Sequence, residues 1–132
     1  MSEIIVRRLD ETQMKRLDLV EGQNPVWIDP SSRISTPVAR ILFEEWRSEA
    51  QSTTTWTFPH YEVHYALKGK AELTYTSLPL HLAESKRTIT VQAGDTYLIP
   101  IGTRWTRKVI GKEPYLHLCI VINPAVPFEA GK

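Results

Sequence analysis

Three polar residues alternate along one short segment of this sequence: His60, Glu62 and His64. In an extended strand, residues two positions apart project from the same face, so these side chains would lie together. A carboxylate beside imidazoles suits proton transfer, and the same donors suit Zn²⁺, Fe²⁺ or Mn²⁺. The spacing thus predicts an acid–base site or a metal site. A third interpretation is a simple hydrogen bond between His64 and Glu62 in a half-polar interior.

Short runs of β-branched and aromatic residues must position this segment. They cover residues 38–46, 53–58, 61–68, 70–76, 87–91, 95–99, 104–110 and 115–122, with Gly, Pro or Ser between most of them. Eight short strands without a helical period predict an all-β antiparallel sandwich or barrel, and the rhythm fits a jelly roll. His117 lies on the last run and is a further candidate for an inward side chain.

The segment before the strands differs in composition. A capping-box pattern at residues 10–13, followed by Met14 and Leu17, predicts one short helix over about residues 10–18. Residues 21–37 have the composition of a loop, with Trp27 and Ile28 as anchors. We therefore expect a helix and loop packed on the barrel in residues 1–36, the barrel in 37–124 and a tail in 125–132.

Bulk properties narrow the class of protein. The chain has 132 residues, the size of one domain, and a formal net charge of +1 without blocks of like charge. Nucleic acid and acidic membrane surfaces are therefore disfavoured as partners. We expect a cytoplasmic protein, since no apolar stretch is long enough for a signal peptide or a membrane span. The lone cysteine, Cys119, sits in an apolar run and is expected to be a buried, inert thiol.

Two motifs resemble a known family. The segment from Glu62 to Gly69 resembles the end of the first motif of the RmlC-like cupin superfamily, and the segment from Gly94 to Gly102 resembles the second, G-D-x-x-x-I-P-x-G. Within that superfamily the chain looks most like the cupin domain of the EutQ type, from ethanolamine utilisation. The resemblance implies a single-domain double-stranded β-helix, a jelly-roll barrel, that forms a homodimer through barrel edges.

The sequence departs from the metal-binding members of that family. Where their three histidines fall, this chain has residues 55–58 and Trp105, so only the family's metal-binding glutamate, Glu62, is retained. Indole and phenyl groups cannot bind a cation through a lone pair, which excludes the family's usual metal site. The position of Tyr97 is similar to that of an iron-binding tyrosine in ectoine synthase, so a rearranged site of His60, Glu62 and His64 stays open.

The resemblance also implies a pocket with aromatic walls. Trp56, Phe58, Tyr97 and Trp105 fall at positions that point inwards in the family, although an ordinary barrel core would explain them equally well. A dry pocket would raise the pKa of Glu62 and make it a general acid or base. His64 would assist as a second proton carrier, and Tyr97 as an acid or oxyanion donor.

Two functions follow from this pocket. The first is a small-molecule isomerase, lyase or dehydratase that uses Glu62 and His64. Arg40 and Arg107 would clamp a substrate carboxylate and His117 would contact the substrate, unless the arginines simply form a solvated rim. The second is a ligand-binding domain without catalysis, or an accessory protein similar to EutQ. A small-molecule ligand is the partner expected in both.

Overall fold

The computed structural model describes residues 3–18, 24–51, 54–77 and 86–122, and these ranges are rich in strands. The strands are β1 (Lys15–Leu17), β2 (Val26–Ile28), β3 (Ile34–Ser35), β4 (Ala39–Trp46), β5 (Trp56–Thr57), β6 (Tyr61–Lys68), β7 (Lys70–Thr76), β8 (Arg87–Gln92), β9 (Thr96–Ile99), β10 (Arg104–Val109) and β11 (Tyr115–Ile122). Three 3₁₀ turns accompany them, at Glu11–Gln13, Pro30–Ser32 and Ser48–Ala50.

The strands form two antiparallel sheets. The larger has the order β1-β2-β4-β11-β6-β9, with β3 added to β4, and the smaller has the order β5-β10-β7-β8. Each of the eight predicted runs contains a strand, so the all-β jelly-roll prediction is confirmed. The largest difference in bounds is in the run 53–58, where Trp56–Thr57 is the only strand among the described residues 54–58.

The helix predicted over residues 10–18 is absent from the structure. Asp10 does cap a turn, because its carboxylate accepts a hydrogen bond from the backbone N–H of Thr12. That turn ends at Gln13, and the chain continues as β1, which pairs with β2. Pairing with β2 gives the backbone groups of this segment their hydrogen-bond partners. A short helix here would have only Met14 and Leu17 to pack against a core, which is too little to stabilise it. Leu17 is 42% exposed.

The predicted loop between residues 21 and 37 contains two further strands, β2 and β3. Trp27 and Ile28 anchor it as expected, since both are buried. The predicted tail at 125–132 lies outside the described residues. Among the described residues, no helix is both long and apolar enough to cross a membrane.

Register in the larger sheet places every second side chain inside the barrel. One inner row crosses the sheet as Arg40, Val121, Glu62 and Ile99. The next row contains Leu42, Cys119, His64 and Tyr97, and a third contains Glu44, His117 and Ala66. The inner surface therefore carries most of its polar groups on three neighbouring strands, β4, β11 and β6.

Small and aliphatic side chains from both sheets form much of the core. Ala71, Leu73, Val91, Ile99 and Val109 are all at most 4% exposed. The chain reverses tightly at two glycines of the motifs: Gly69 has φ +81° between β6 and β7, and Gly94 has φ +97° between β8 and β9. Left-handed backbone of this kind favours glycine, because a Cβ would be strained there.

Candidate functional site

A cavity of about 220 Å³ opens into the barrel between the two sheets. Four aromatic side chains line it: Trp46, Trp56, Phe58 and Trp105. Phe58 and Trp105 meet edge to face with ring centroids 4.6 Å apart. Aliphatic groups of Val26, Ile28 and Leu42 form part of the opposite wall. The result is a small chamber with flat apolar walls, which suits a planar organic ligand.

Glu62 lies at the wall of this cavity between two histidines. Its Oε2 is 2.6 Å from Nε2 of His60, and its Oε1 is 2.8 Å from Nε2 of His64. The strand spacing of two residues brings all three side chains to one face, as the sequence indicates. His64 is almost fully buried, whereas the side chain of His60 is 25% exposed and lines the cavity.

Two tyrosines extend this network into the core. The hydroxyl of Tyr97 lies 3.0 Å from Nδ1 of His64 and 2.7 Å from the hydroxyl of Tyr115. Burial raises the pKa of Tyr97 strongly, and burial raises the pKa of Tyr115 to about 12. Both phenols therefore stay protonated at neutral pH and act as hydrogen-bond donors within the chain of contacts.

Glu62 is ionised, contrary to the expectation that a dry pocket would raise its pKa. Burial does raise the pKa, but hydrogen bonds from His60 and His64, together with the charges of these two groups, outweigh burial and hold it well below its usual range. The predicted rise of this pKa is therefore wrong, while the role of Glu62 as a general acid or base stays a prediction. Because an ionised carboxylate only accepts hydrogen bonds, both histidines must donate to it through Nε2–H.

Cys119 adds a third donor to the same carboxylate. Its thiol lies 3.3 Å from Oε1 of Glu62. It is buried, as predicted, and burial raises the pKa of the thiol well above its usual value. Nε2 or Nδ1 of His64, a carboxylate oxygen of Glu62 and Sγ of Cys119 all lie within 4.8 Å of one another. These atoms converge closely enough to hold one metal ion, with Cys119 in the place that the sequence had suggested for His60.

His117 lies behind the cavity wall rather than in it. The residue is fully buried, and its Nε2 is 3.3 Å from Oε1 of Glu44. That is an ion-pair distance, yet neither ring nitrogen has a hydrogen-bond partner of suitable geometry among the described residues. Burial, followed by the charge of His64, lowers the pKa of His117 to about 4. The ring is therefore neutral at neutral pH and does not contact the cavity.

The arginines of the site have different roles. Arg107 is half-buried, donates to the backbone carbonyl of Asn24 at 2.9 Å and stacks over the ring of Trp46 at 4.3 Å. Burial lowers its pKa to about 10, so it stays charged. Arg40 lines the cavity and is exposed, as is Arg33, which sequence reasoning did not single out.

The structure brings most of the predicted site together. Glu62, His60, His64, Trp56, Phe58, Trp105, Arg40 and Arg107 line the cavity, whereas Tyr97 and His117 are not among the residues that line it. Sequence reasoning missed Glu44 and Trp46, which also line it. Their signal was available, because Arg40, Leu42, Glu44 and Trp46 alternate along one strand and share a face.

Comparisons with known proteins come from structure alone. No protein-family model and no curated protein matches the sequence. The fold is similar to that of the Clostridium difficile EutQ protein, with a TM-score of 0.55 and 18% identity over 87% of this chain and 79% of that chain. It is also similar to the Schizosaccharomyces pombe Cnp3 cupin domain, with a TM-score of 0.57 and 16% identity over 80% of this chain and 71% of that chain.

A third similar structure is the oxalate decarboxylase of Lactobacillus farciminis, solved as a formate complex. The TM-score is 0.58 at 24% identity, over 86% of this chain and 32% of that chain, so the chain spans about a third of that enzyme. All three identities are too low to transfer an activity, since cupin barrels host unrelated functions. Strand order, motif glycines and these neighbours lead to one conclusion: this chain has the cupin fold.

Proposed function

We propose that the cavity is the active site of a small-molecule isomerase, lyase or dehydratase in which His60 transfers the proton. The observation that carries this proposal is the ionised Glu62 hydrogen-bonded to His60 at the wall of an aromatic cavity. A carboxylate that holds one imidazole nitrogen fixes the tautomer of the ring and stabilises its protonated form.

His60 is the histidine available to a substrate. Its Nε2–H points to Glu62, and its Nδ1 hydrogen bonds to no group among the described residues. In the neutral ring that nitrogen carries a lone pair. His60 also lines the cavity and is partly exposed, so a ligand can reach it. A base of this kind contributes about 10²- to 10⁴-fold to proton-transfer rates.

His64 and Tyr97 serve as positioning residues in this proposal. Glu62 and Tyr97 occupy both nitrogens of His64, and the ring is almost fully buried. Since Nε2–H of His64 donates to Glu62, Nδ1 is left to accept a hydrogen bond from the hydroxyl of Tyr97. This network fixes Glu62, and Glu62 fixes His60. Glu62 and His64 were expected to carry the proton themselves, and here they hold its carrier in place.

The proton balance is simple for each reaction type. His60 Nδ1 takes a proton from a substrate carbon next to a carbonyl or carboxyl group, and the electron pair stays on the substrate. In an isomerase, the same imidazolium returns the proton to a neighbouring carbon. In a lyase or dehydratase, the electron pair forms a C=C bond while the leaving group departs, and His60 can protonate that group.

A separate observation supports a metal-assisted form of this function. Glu62, His64 and Cys119 converge, and a thiolate ligand favours Zn²⁺ or Fe²⁺ over Mn²⁺. These residues fit such an ion because burial screens them from water and because a nearby cation reverses the raised pKa of the thiol. A bound ion would polarise a substrate carbonyl.

Homodimer formation through a barrel edge belongs to the same proposal. β9 is the last strand of the larger sheet, and Leu98 on it is 59% exposed. The opposite edge, β1, carries Lys15 and Arg16, charges that oppose strand pairing. We therefore place the interface at β9 rather than at β1.

Proton exchange tests the catalytic proposal without knowledge of the natural substrate. Small carboxylic and carbonyl compounds are incubated with the protein in D₂O, and loss of the α-proton signal is followed by NMR. We expect exchange that falls by about 100-fold in His60→Gln and in Glu62→Gln. Glu113→Gln, an exposed residue away from the cavity, is the matched control. A compound that binds in the cavity without any exchange would instead indicate a ligand-binding domain.

A further inference from the structure

We infer that the ligand of this cavity is a small carboxylate anion, held at the mouth by the guanidinium groups of Arg33 and Arg40. This inference deepens the proposed function, on which it rests for the identity of the active site. It follows from the charges that the protein leaves uncompensated, from the register of the strands and from the size of the chamber.

The acidic groups of the cavity are already compensated. Glu62 accepts hydrogen bonds from His60, His64 and the thiol of Cys119. Oε1 of Glu44 accepts from Nε1 of Trp46 at 3.1 Å and lies at ion-pair distance, 3.3 Å, from Nε2 of His117. A cationic ligand would have to compete with these groups for both oxygens of Glu62 and for Oε1 of Glu44.

The basic groups at the mouth are not compensated in the same way. The guanidinium groups of Arg33 and Arg40 form no hydrogen bond or ion pair with any group in the described ranges, although both residues line the cavity. An anionic ligand would therefore supply the negative charge that these two guanidinium groups lack.

Strand register brings the two arginines together. β3 pairs with β4 so that Ile34 lies opposite Ile41 and Ser35 opposite Arg40. Continued by one residue, this register makes Arg33 a diagonal neighbour of Arg40, about 7–8 Å away, which long side chains readily bridge. The backbone N–H of Arg33 also donates to the carbonyl of Pro30, which fixes the start of its side chain. Two guanidinium forks can thus meet one carboxylate.

The same register gives the length of the ligand. Arg40 and Glu62 lie in one inner row, separated by Val121. Two strand spacings of about 4.8 Å put their backbones about 10 Å apart. A cavity of about 220 Å³ is smaller than the pockets of about 300–1,000 Å³ that hold drug-sized ligands. A small flat acid would span from the arginines to His60, with its plane against the aromatic walls.

Calorimetry with matched probes tests this inference. Benzoate, acetate and malonate are the anionic probes, and benzamide is the neutral isostere of benzoate. We expect benzoate to bind at least about tenfold more tightly than benzamide, because only the acid forms charge-assisted bonds. Arg33→Gln and Arg40→Gln should each remove most of that preference. Arg87→Gln removes the same charge from β8, outside the cavity lining, and should leave the preference intact.

The outcomes separate this inference from the proposed function. Equal binding of benzoate and benzamide, arginine-independent binding, or no binding of any of the three acids would overturn the carboxylate inference. Proton exchange on neutral carbonyl compounds that survives Arg33→Gln and Arg40→Gln would overturn it too, while leaving the enzyme proposal standing. Arginine-dependent binding of an acid that shows no proton exchange would keep the ligand class and reject the enzyme.

Discussion

The imidazole rings of His64 and His117 stack inside the barrel, with centroids 4.4 Å apart and 29° between their planes. Both side chains are almost completely buried. Two stacked rings in such a place cannot both be protonated without strong repulsion. His64 is held by hydrogen bonds to Glu62 and Tyr97, whereas His117 has only the carboxylate of Glu44 at 3.3 Å. Protonation is therefore disfavoured at His117.

The stability of the fold should therefore fall in mild acid. The pKa of His117 drops from 6.5 to about 4 on folding, so between these values the unfolded chain binds more protons than the folded one. Stability is then lost as pH falls through this window, by about 3 kcal/mol at its lower end. Urea unfolding at pH 7, 5.5 and 4.5 measures it. In His117→Phe, the free energy of unfolding should change less with pH over this range. An unchanged pH dependence in that variant would show that other groups cause the loss of stability.

Metal content distinguishes two possible ligand sets. In protein purified without an affinity tag, we expect any bound zinc or iron to disappear in His64→Ala and Cys119→Ala, because both atoms belong to the convergent group. His60→Ala should retain the metal, since its nitrogen faces the other oxygen of Glu62. Elemental analysis gives the answer. If metal is lost in His60→Ala but kept in Cys119→Ala, the ligands are instead His60, Glu62 and His64, as predicted from the sequence.

Two glycines form a matched pair for the barrel itself. A Cβ at Gly69 would overlap the backbone carbonyl of Pro114, whereas a Cβ at Gly94 would meet nothing within 4 Å. Both have positive φ. Gly94→Ala should cost about 1–2 kcal/mol of unfolding free energy from backbone strain alone. Gly69→Ala should cost at least about 3 kcal/mol, because the clash is with backbone that cannot move aside. Equal losses of unfolding free energy in the two variants would contradict a clash between the Cβ at position 69 and the carbonyl of Pro114.

Association through the β9 edge can be tested with one side chain. Sedimentation velocity on the wild-type chain should show a dimer, and Leu98→Lys should shift it to monomer, because a lysine on an edge strand opposes pairing with a second copy. Leu17→Lys on the opposite edge, where the side chain is 42% exposed, is the control. A dimer that survives Leu98→Lys but not Leu17→Lys would place the interface at β1.

Local patterns in the sequence were sufficient for the strands and for one face of the site. Alternation with period two is a local property, so the runs that became β4, β6, β7 and β11 could be read directly. The same alternation put His60, Glu62 and His64 together, and the buried setting of Cys119 followed from its apolar neighbours. The helix prediction for residues 10–18 was wrong because two apolar residues that pack on no core do not stabilise a short helix.

Only the tertiary structure decided the chemistry of these residues. The pKa of Glu62 depends on whether burial or its histidine partners dominate, and that balance depends on distances of 2.6 and 2.8 Å that no spacing rule supplies. The stack of His64 on His117 and the meeting of Cys119 with Glu62 join residues more than 50 positions apart. Such contacts arise from strand order and register across β6 and β11, which are set by the packing of the whole barrel rather than by any local segment.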